Sequence, residues 1–305
     1  MTVLISTVMA KSRTTPVALL LLAALSWGLS AALTKVALEQ VSPLDLFAVE
    51  VAMGALVLCA AALARGARPS RPSIPVLALG ILDPGLAILL FDFGLVHTAA
   101  THGALLLATD SLFTVALAVV LLGERIGGRV AVALAAGFAG SALLSLDSGG
   151  TMSTLSGDAL VVAAALSAAV YAVLARRVVA GRNALSLTAE QMVGAAVVAL
   201  PLAAVMIAAG HSHLTHADAG HLLVTTTVAL LSSVVPFLLY NIAIGGVTAT
   251  SAALVLTLVP LFGALASVVL LGEHLAAAQL AGGAFVVVAA GLATIGVHAE
   301  RAIPA

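Results

Sequence analysis

Ten stretches of about 20 apolar residues follow one another along this 305-residue chain, parted by short segments that hold most of its charge. A bilayer core about 30 Å thick is crossed by roughly 20 helical residues. Lipid offers no partner to a bare backbone amide, so runs of this length fold as helices. Cutting the chain where charge, Gly/Pro clusters or His interrupt the runs gives approximate spans at 17–38, 46–64, 74–96, 103–122, 130–146, 159–179, 187–209, 221–242, 250–271 and 277–297. With 62% hydrophobic and 8% charged residues, the chain could not cover a water-facing surface with polar groups. The expected fold class is an all-α integral membrane protein with ten transmembrane helices.

Charge placement orients these spans. With the N-terminus in the cytoplasm, Lys11, Arg13, Arg65, Arg68, Arg71, Arg125, Arg129, Arg176, Arg177, Arg182 and Arg301 all fall inside, leaving Lys35 alone of the twelve basic residues. Glu39, Asp147, Asp158, Asp218 and Glu273 fall outside. This satisfies the positive-inside rule and predicts a multi-pass protein of the cell (inner) membrane with both termini cytoplasmic. The first run follows Lys11 and Arg13 as in a signal peptide, but its length and lack of a small-residue cleavage site mark it as a retained span.

A duplication runs through the pattern. Val119-Val120-Leu121-Leu122-Gly123-Glu124 recurs unchanged as Val268-Val269-Leu270-Leu271-Gly272-Glu273, and the same offset of 149 positions aligns Phe91-Asp92 with Tyr240-Asn241 and Leu112-Phe113 with Leu261-Phe262. Nearer the start of each half, Ala24-Leu25-Ser26 matches Ala165-Leu166-Ser167, which sets Lys35 opposite Arg176 and Glu50 opposite Gln191. The domains expected are residues 1–147 and 148–305, each a five-helix repeat. An odd helix number inverts the second copy across the membrane, as in carriers built from inverted repeats.

Trp27-Gly28 in the first span, the stretch from Thr248 to Ala253 followed by Val259-Pro260-Leu261-Phe262 in the ninth, and the two Leu-Gly-Glu ends carry a family likeness. Their order and repetition over nearly the whole chain resemble the EamA family of the drug/metabolite transporter superfamily. The first half departs from the pattern at Asp110-Ser111, where the second has Val259-Pro260. The resemblance implies a ten-helix inverted-repeat carrier, often an exporter of amino acids or related metabolites, with a central cavity between its halves.

A charge inside a span costs at least about 2.5–3.5 kcal/mol on insertion scales, so intramembrane carboxyls should face a cavity or a partner. By helical rise, Asp83 and Asp110 fall near the midplane, and Lys35, Glu50 and Asp92 in the outer third. Asp110, with no adjacent cation, is the leading proton-coupling candidate, with Asp83 and Glu50 beside it. Asp83 precedes Pro84, so it reads equally as a carboxyl satisfying a kink. Asp83 and Asp92 lie nine residues apart, on opposite faces of an ideal helix, and share a cavity only if Pro84 bends it. The substrate-binding candidates are Trp27, Lys35, Asp92, Tyr240 and Asn241. Lys35 either pairs with Glu50, Asp92 or a substrate carboxylate, or snorkels to the interface. Trp27 lines a cavity or simply packs, and Tyr240 and Asn241 offer neutral hydrogen bonds. Tyr171 is a weaker candidate.

Other features carry less. His211, His213, His216 and His221 crowd one outer loop with metal-compatible spacing but lack a Cys or carboxylate framework, so no metal is expected. His97 and His102 read as solvated loop residues, Cys59 as a packing or lipid-facing side chain, and Glu124 and Glu273 as helix-end hydrogen-bond acceptors. Pro236 and Pro260 kink their helices, while Gly282, Gly283 and Gly291 suit close packing or a dimer contact equally.

No basic patch interleaved with aromatics supports nucleic-acid binding, and no G-x-x-x-x-G-K-[ST] loop supports nucleotide drive. The expected partners are a small-molecule substrate and the lipid bilayer, with no cofactor and a proton gradient as the driving force. The leading expectation is a secondary active exporter of small metabolites, not an enzyme. A proton-coupled multidrug exporter is the alternative within transport, with the 4% aromatic content against it. An intramembrane enzyme using an Asp pair is the alternative from another class.

Overall fold

The computed structural model describes residues 15–66, 73–98, 103, 106–144, 154–179, 181–214, 217–271 and 277–300. The apolar runs are helices: α1 Thr15–Ala37, α2 Pro43–Ala64, α3 Ile74–Gly80, α4 Ala87–His97, α5 Thr109–Leu117, α6 Gly128–Leu144, α7 Leu155–Val178, α8 Ala184–Ala208, α9 Ala219–Ala229, α10 Val235–Ile244, α11 Ala249–Leu256, α12 Val259–Leu271 and α13 Ala277–Glu300. Polar side chains start several of them by accepting an otherwise orphaned backbone N–H. Ser42 caps α2, Thr154 α7, Asn183 α8, Asp218 α9 and Thr248 α11, in each case from the third residue on.

Among the described residues, seven helical stretches are long and apolar enough to cross a membrane: Pro16–Ala37, Pro43–Ala64, Ile74–His97, Leu155–Val178, Ala184–Ala208, Ala219–Ile244 and Ala249–Leu270. Three shorter apolar helices, Thr109–Leu122, Gly128–Leu143 and Leu280–Ala289, lie where the fourth, fifth and tenth spans were expected. Large apolar side chains such as Leu56, Val120, Leu223 and Val269 face outward, whereas Glu50, Asp92, Thr188, Gln191 and Asn241 are buried. The protein is a multi-pass membrane protein turned polar side inward.

Two stretches are broken at equivalent points. Between α3 and α4, the segment Ile81–Leu86 widens into a π-type turn, with Asp83 in an extended conformation (φ −152°, ψ 121°) ahead of Pro84. Between α9 and α10, Leu230–Val234 widens likewise ahead of Pro236. Such breaks free carbonyls, which in lipid need new donors. The opposite half supplies a serine hydroxyl at each break. Ser167 Oγ donates to the Leu82 carbonyl at 2.8 Å and Ser26 Oγ to the Leu231 carbonyl at 2.7 Å. Leu82 and Leu231 are 149 positions apart, and Ser26 and Ser167 are the matched serines of the duplication.

Helix packing shows the same exchange: α1 packs on α10 and α12, while α7 packs on α4 and α5. The pairs α2 with α8 and α6 with α13 join like helices of the two halves. Backbones touch where α3 crosses α8, because a methyl group on Gly80 would lie 1.8 Å from the Gln191 carbonyl oxygen. The first half also ends on the second. Gly123, at φ 67°, turns the chain so that Glu124 reaches the start of α11, accepting from the N–H groups of Ala249 (3.0 Å) and Thr250 (3.1 Å) and from the Thr250 hydroxyl (2.6 Å). This is the helix-end bonding expected of Glu124, directed at a helix of the other half. Glu273 lies outside the described residues.

Candidate functional site

The exchanged helices enclose a cavity of about 180 Å³, walled by α1, α2, α4, α5, α7, α10, α11, α12 and the two breaks, at Asp83 and at Ser232. By the same kind of measure about 10–15 Å³ holds one water, so there is room for a small organic molecule. Six of the eight residues singled out from the sequence meet in its wall: Trp27, Glu50, Asp83, Asp92, Asp110 and Tyr240. Asp83 and Asp92 share it because the extended backbone at Asp83 removes the half-turn offset of a continuous helix. Lys35 and Asn241 lie outside the wall.

Each carboxyl has its own setting. Glu50 Oε1 accepts a 2.5 Å hydrogen bond from Ser232 Oγ. The Asp92 carboxyl lies within hydrogen-bond reach of Glu50, yet Glu50 Oε2 and Asp92 Oδ2 are buried without any donor. Asp110, in the first turn of α5, accepts from Thr114 Oγ1 at 3.0 Å. Asp110 stands just beyond the turn residue Ala108; 149 positions later, the ninth run is interrupted at Thr257 and Leu258.

An aromatic cluster closes one side. Trp27 packs edge-on to Phe237, with ring centroids 5.4 Å apart, and tilted against Tyr240 at 6.2 Å, while Tyr171 contacts both Phe237 and Tyr240. Trp27 Nε1 donates to the Ser232 carbonyl at 3.0 Å, so the tryptophan, like Ser26, satisfies the break before Pro236. Trp27 therefore both packs and lines the cavity.

Lys35 is engaged elsewhere: Nζ donates to the Leu95 carbonyl at 2.6 Å and the Thr98 carbonyl at 3.1 Å, at the end of α4. Asn241 belongs to a buried polar network. Its Nδ2 donates to Gln191 Oε1 (2.7 Å) and Thr188 Oγ1 (3.0 Å), and the Tyr171 hydroxyl approaches Asn241 Oδ1 at 3.3 Å. Sequence reasoning passed over Ser232 and made no site residue of Gln191. The repeat alignment, which sets Gln191 opposite Glu50, carried the signal for the second.

In the histidine-rich loop before α9, Asp45 accepts from Ser212 Oγ and the His213 N–H, both at 2.8 Å, and His221 pairs with Asp218 at 3.0 Å. Among the described residues no three His, Cys, Asp or Glu side chains converge as metal ligands. His102 and His216 lie outside those residues.

The EamA-like transporter family matches this chain twice, over residues 14–146 and 155–295. The chain belongs to that family. Among its relatives is a probable terminal-alkyne amino-acid exporter of Streptantibioticus cattleyicolor, 30% identical over 87% of this chain and 88% of the relative. A second, an uncharacterised protein of Pseudomonas aeruginosa, is 32% identical over 61% of this chain and 62% of its own length. A solved crystal structure superposes with a TM-score of 0.80 over 95% of this chain and 100% of that one. At 21% identity that likeness shows the fold alone.

Proposed function

We propose that this EamA-family transporter is a secondary active exporter of small metabolites such as amino acids or their derivatives. It works by alternating access between two inverted five-helix halves, ten spans in all, with both termini in the cytoplasm. The observation that carries this reading is the carboxyl-lined cavity walled from both halves. The exchanged contacts, in which each half satisfies the broken helix of the other, support the inverted arrangement. The S. cattleyicolor relative, by its name an amino-acid exporter, supports the substrate class. A proton gradient supplies the drive, with Asp110, Asp83 and Glu50 as the coupling carboxyls and Trp27, Asp92 and Tyr240 as substrate contacts.

One observation favours a second reading, export of diverse cationic compounds. Although the chain is poor in aromatics, Trp27, Phe91, Tyr171, Phe237 and Tyr240 gather around this one acidic cavity. An enzyme built on Asp83 and Asp110 has less support, since exchanged repeats have a direct meaning for alternating access. Radiolabel counterflow in proteoliposomes, run with an amino-acid panel and a panel of organic cations, tests the proposal. Exchange of panel members above protein-free vesicles is expected. A purified, folded protein that exchanges none of them would refute the exporter reading.

A further inference from the structure

Glu50 and Asp92 have counterparts 141 and 149 positions on, in Gln191 and Asn241. Both pairs are almost wholly buried. In the second half the contact is an ordinary hydrogen bond, Asn241 Nδ2 to Gln191 Oε1 at 2.7 Å, because an amide brings its own donor. In the acid pair of the first half, Glu50 Oε2 and Asp92 Oδ2 are both buried with no donor.

Neighbouring groups do not fill that gap. Ser232 serves the other Glu50 oxygen, and Lys35 is held by the Leu95 and Thr98 carbonyls. The remaining titratable groups on the cavity wall, Asp83, Asp110, Tyr171 and Tyr240, are all acids. On the helices packed against α2 and α4, Glu190 turns to Arg182 and His221 to Asp218 and Glu39. Asp158 accepts from Thr98, and Arg176 and Arg177 donate to the Ile244 and Leu121 carbonyls. Two ionised carboxylates in contact within a membrane span, with no cation between them, repel strongly. One positive occupant resolves the contact, either a proton held between the two carboxyls or the ammonium group of a ligand on the cavity side.

We propose that Glu50 and Asp92 form the proton-for-substrate exchange site of this carrier, and that its substrates are organic amines without a free carboxylate. This rests on the exporter reading and keeps, of its substrate class, only the amino-acid derivatives and related amines that lack a free carboxylate. With the cavity otherwise empty, the pair holds one proton. When a protonated amine enters, the O–H bond breaks, the proton leaves through the open side of the cavity, and the ammonium N–H groups donate to the two carboxylates. The site carries a net charge of −1 before and after, so exchange is one for one and electroneutral. Gln191 and Asn241 cannot titrate, which confines coupling to the first half. A zwitterionic amino acid brings a carboxylate for which the described wall has no free cation.

The test uses the full chain reconstituted in lipid, with 2-phenylethylamine as probe and phenylalanine, the same frame plus a carboxylate, as comparison. Infrared difference spectra at neutral pH should show a protonated-carboxyl component that is lost in Asp92→Asn and in Glu50→Gln/Asp92→Asn, which rebuilds the amide pair of the second half. Binding of 2-phenylethylamine should release about one proton per molecule bound from the wild type and none from either variant. Phenylalanine should bind at least about tenfold more weakly. The single variant supplies the missing donor without adding volume, so the test stands even if the double variant does not fold. A carboxyl component unchanged in Asp92→Asn, or amine binding that releases no proton, overturns the exchange site. Equal affinity for phenylalanine overturns the amine assignment. Failure of counterflow with every compound, alongside proton release on amine binding, would refute export and leave the pair standing.

Discussion

Lys35 and Arg176 make the same contact in opposite halves of the chain. Lys35 Nζ reaches the Leu95 carbonyl at 2.6 Å, and an Arg176 guanidinium nitrogen reaches the Ile244 carbonyl at 2.8 Å, with the two carbonyls 149 positions apart. Each cation leaves the first helix of its half and ties down the end of the helix that follows the break, where carbonyls lack partners of their own. Neither cation lines the cavity, so neither is placed to hold a substrate carboxylate there.

The first prediction follows from that symmetry. Lys35→Met and Arg176→Met should each lower stability by about 1.5–3 kcal/mol, the usual worth of a hydrogen bond to a charged group. Thermal unfolding of the two purified variants in detergent reads this directly. Loss of transport by Lys35→Met with no change in unfolding temperature would instead place Lys35 in contact with substrate.

Glu124 joins the halves by capping α11 with both carboxylate oxygens. Glu124→Ala strips two backbone N–H groups and a hydroxyl of their acceptor, so a loss of about 1–3 kcal/mol is expected, and Glu124→Gln should recover part of it. A melting curve for Glu124→Ala that overlays the wild type would show the cap to be dispensable.

Asp218 gives a pH dependence outside the membrane. The His221 N–H, then the Gln40 amide and the His221 ring, hold its carboxyl at about 2, below the ordinary value. A depressed folded-state value means that the stabilisation is complete above about 4, where an unfolded aspartate titrates, and is lost as the pH falls toward 2. Asp218→Asn should remove this component, so the gap in unfolding temperature between variant and wild type closes across that window. A gap that stays constant from pH 6 to pH 2 would contradict the assignment.

At the α3–α8 crossing, Gly80→Ala places a methyl group against backbone that cannot yield as a side chain could. Overpacking of this kind costs about 1–3 kcal/mol. The expected readout is reduced yield of monodisperse protein and a lower unfolding temperature, with Gly66→Ala as control at a turn where a methyl meets nothing but tolerates its positive φ poorly. A Gly80→Ala protein more stable than that control would mean that the helices part at little cost.

Much of this was legible in the residues. Apolar run length marked the helices, and the 149-residue offset paired Phe91-Asp92 with Tyr240-Asn241. Intramembrane charge singled out the carboxyls that now line one cavity. Two things could not be read. Lys35 chose backbone carbonyls over carboxylates, and a carbonyl has no signature in a sequence because every residue carries one. Asn241 joins a network with Thr188 and Gln191 outside the cavity wall, although its counterpart Asp92 lines it, and pairing by offset does not carry such a difference.

Ser26 closes the break of the second half and Ser167 that of the first. A free-standing second half would therefore leave the Leu231 carbonyl without its serine donor, and a free-standing first half would leave the Leu82 carbonyl with the Ala87 N–H alone. Cut apart, each half would need a second chain to lend the serine that its own break uses.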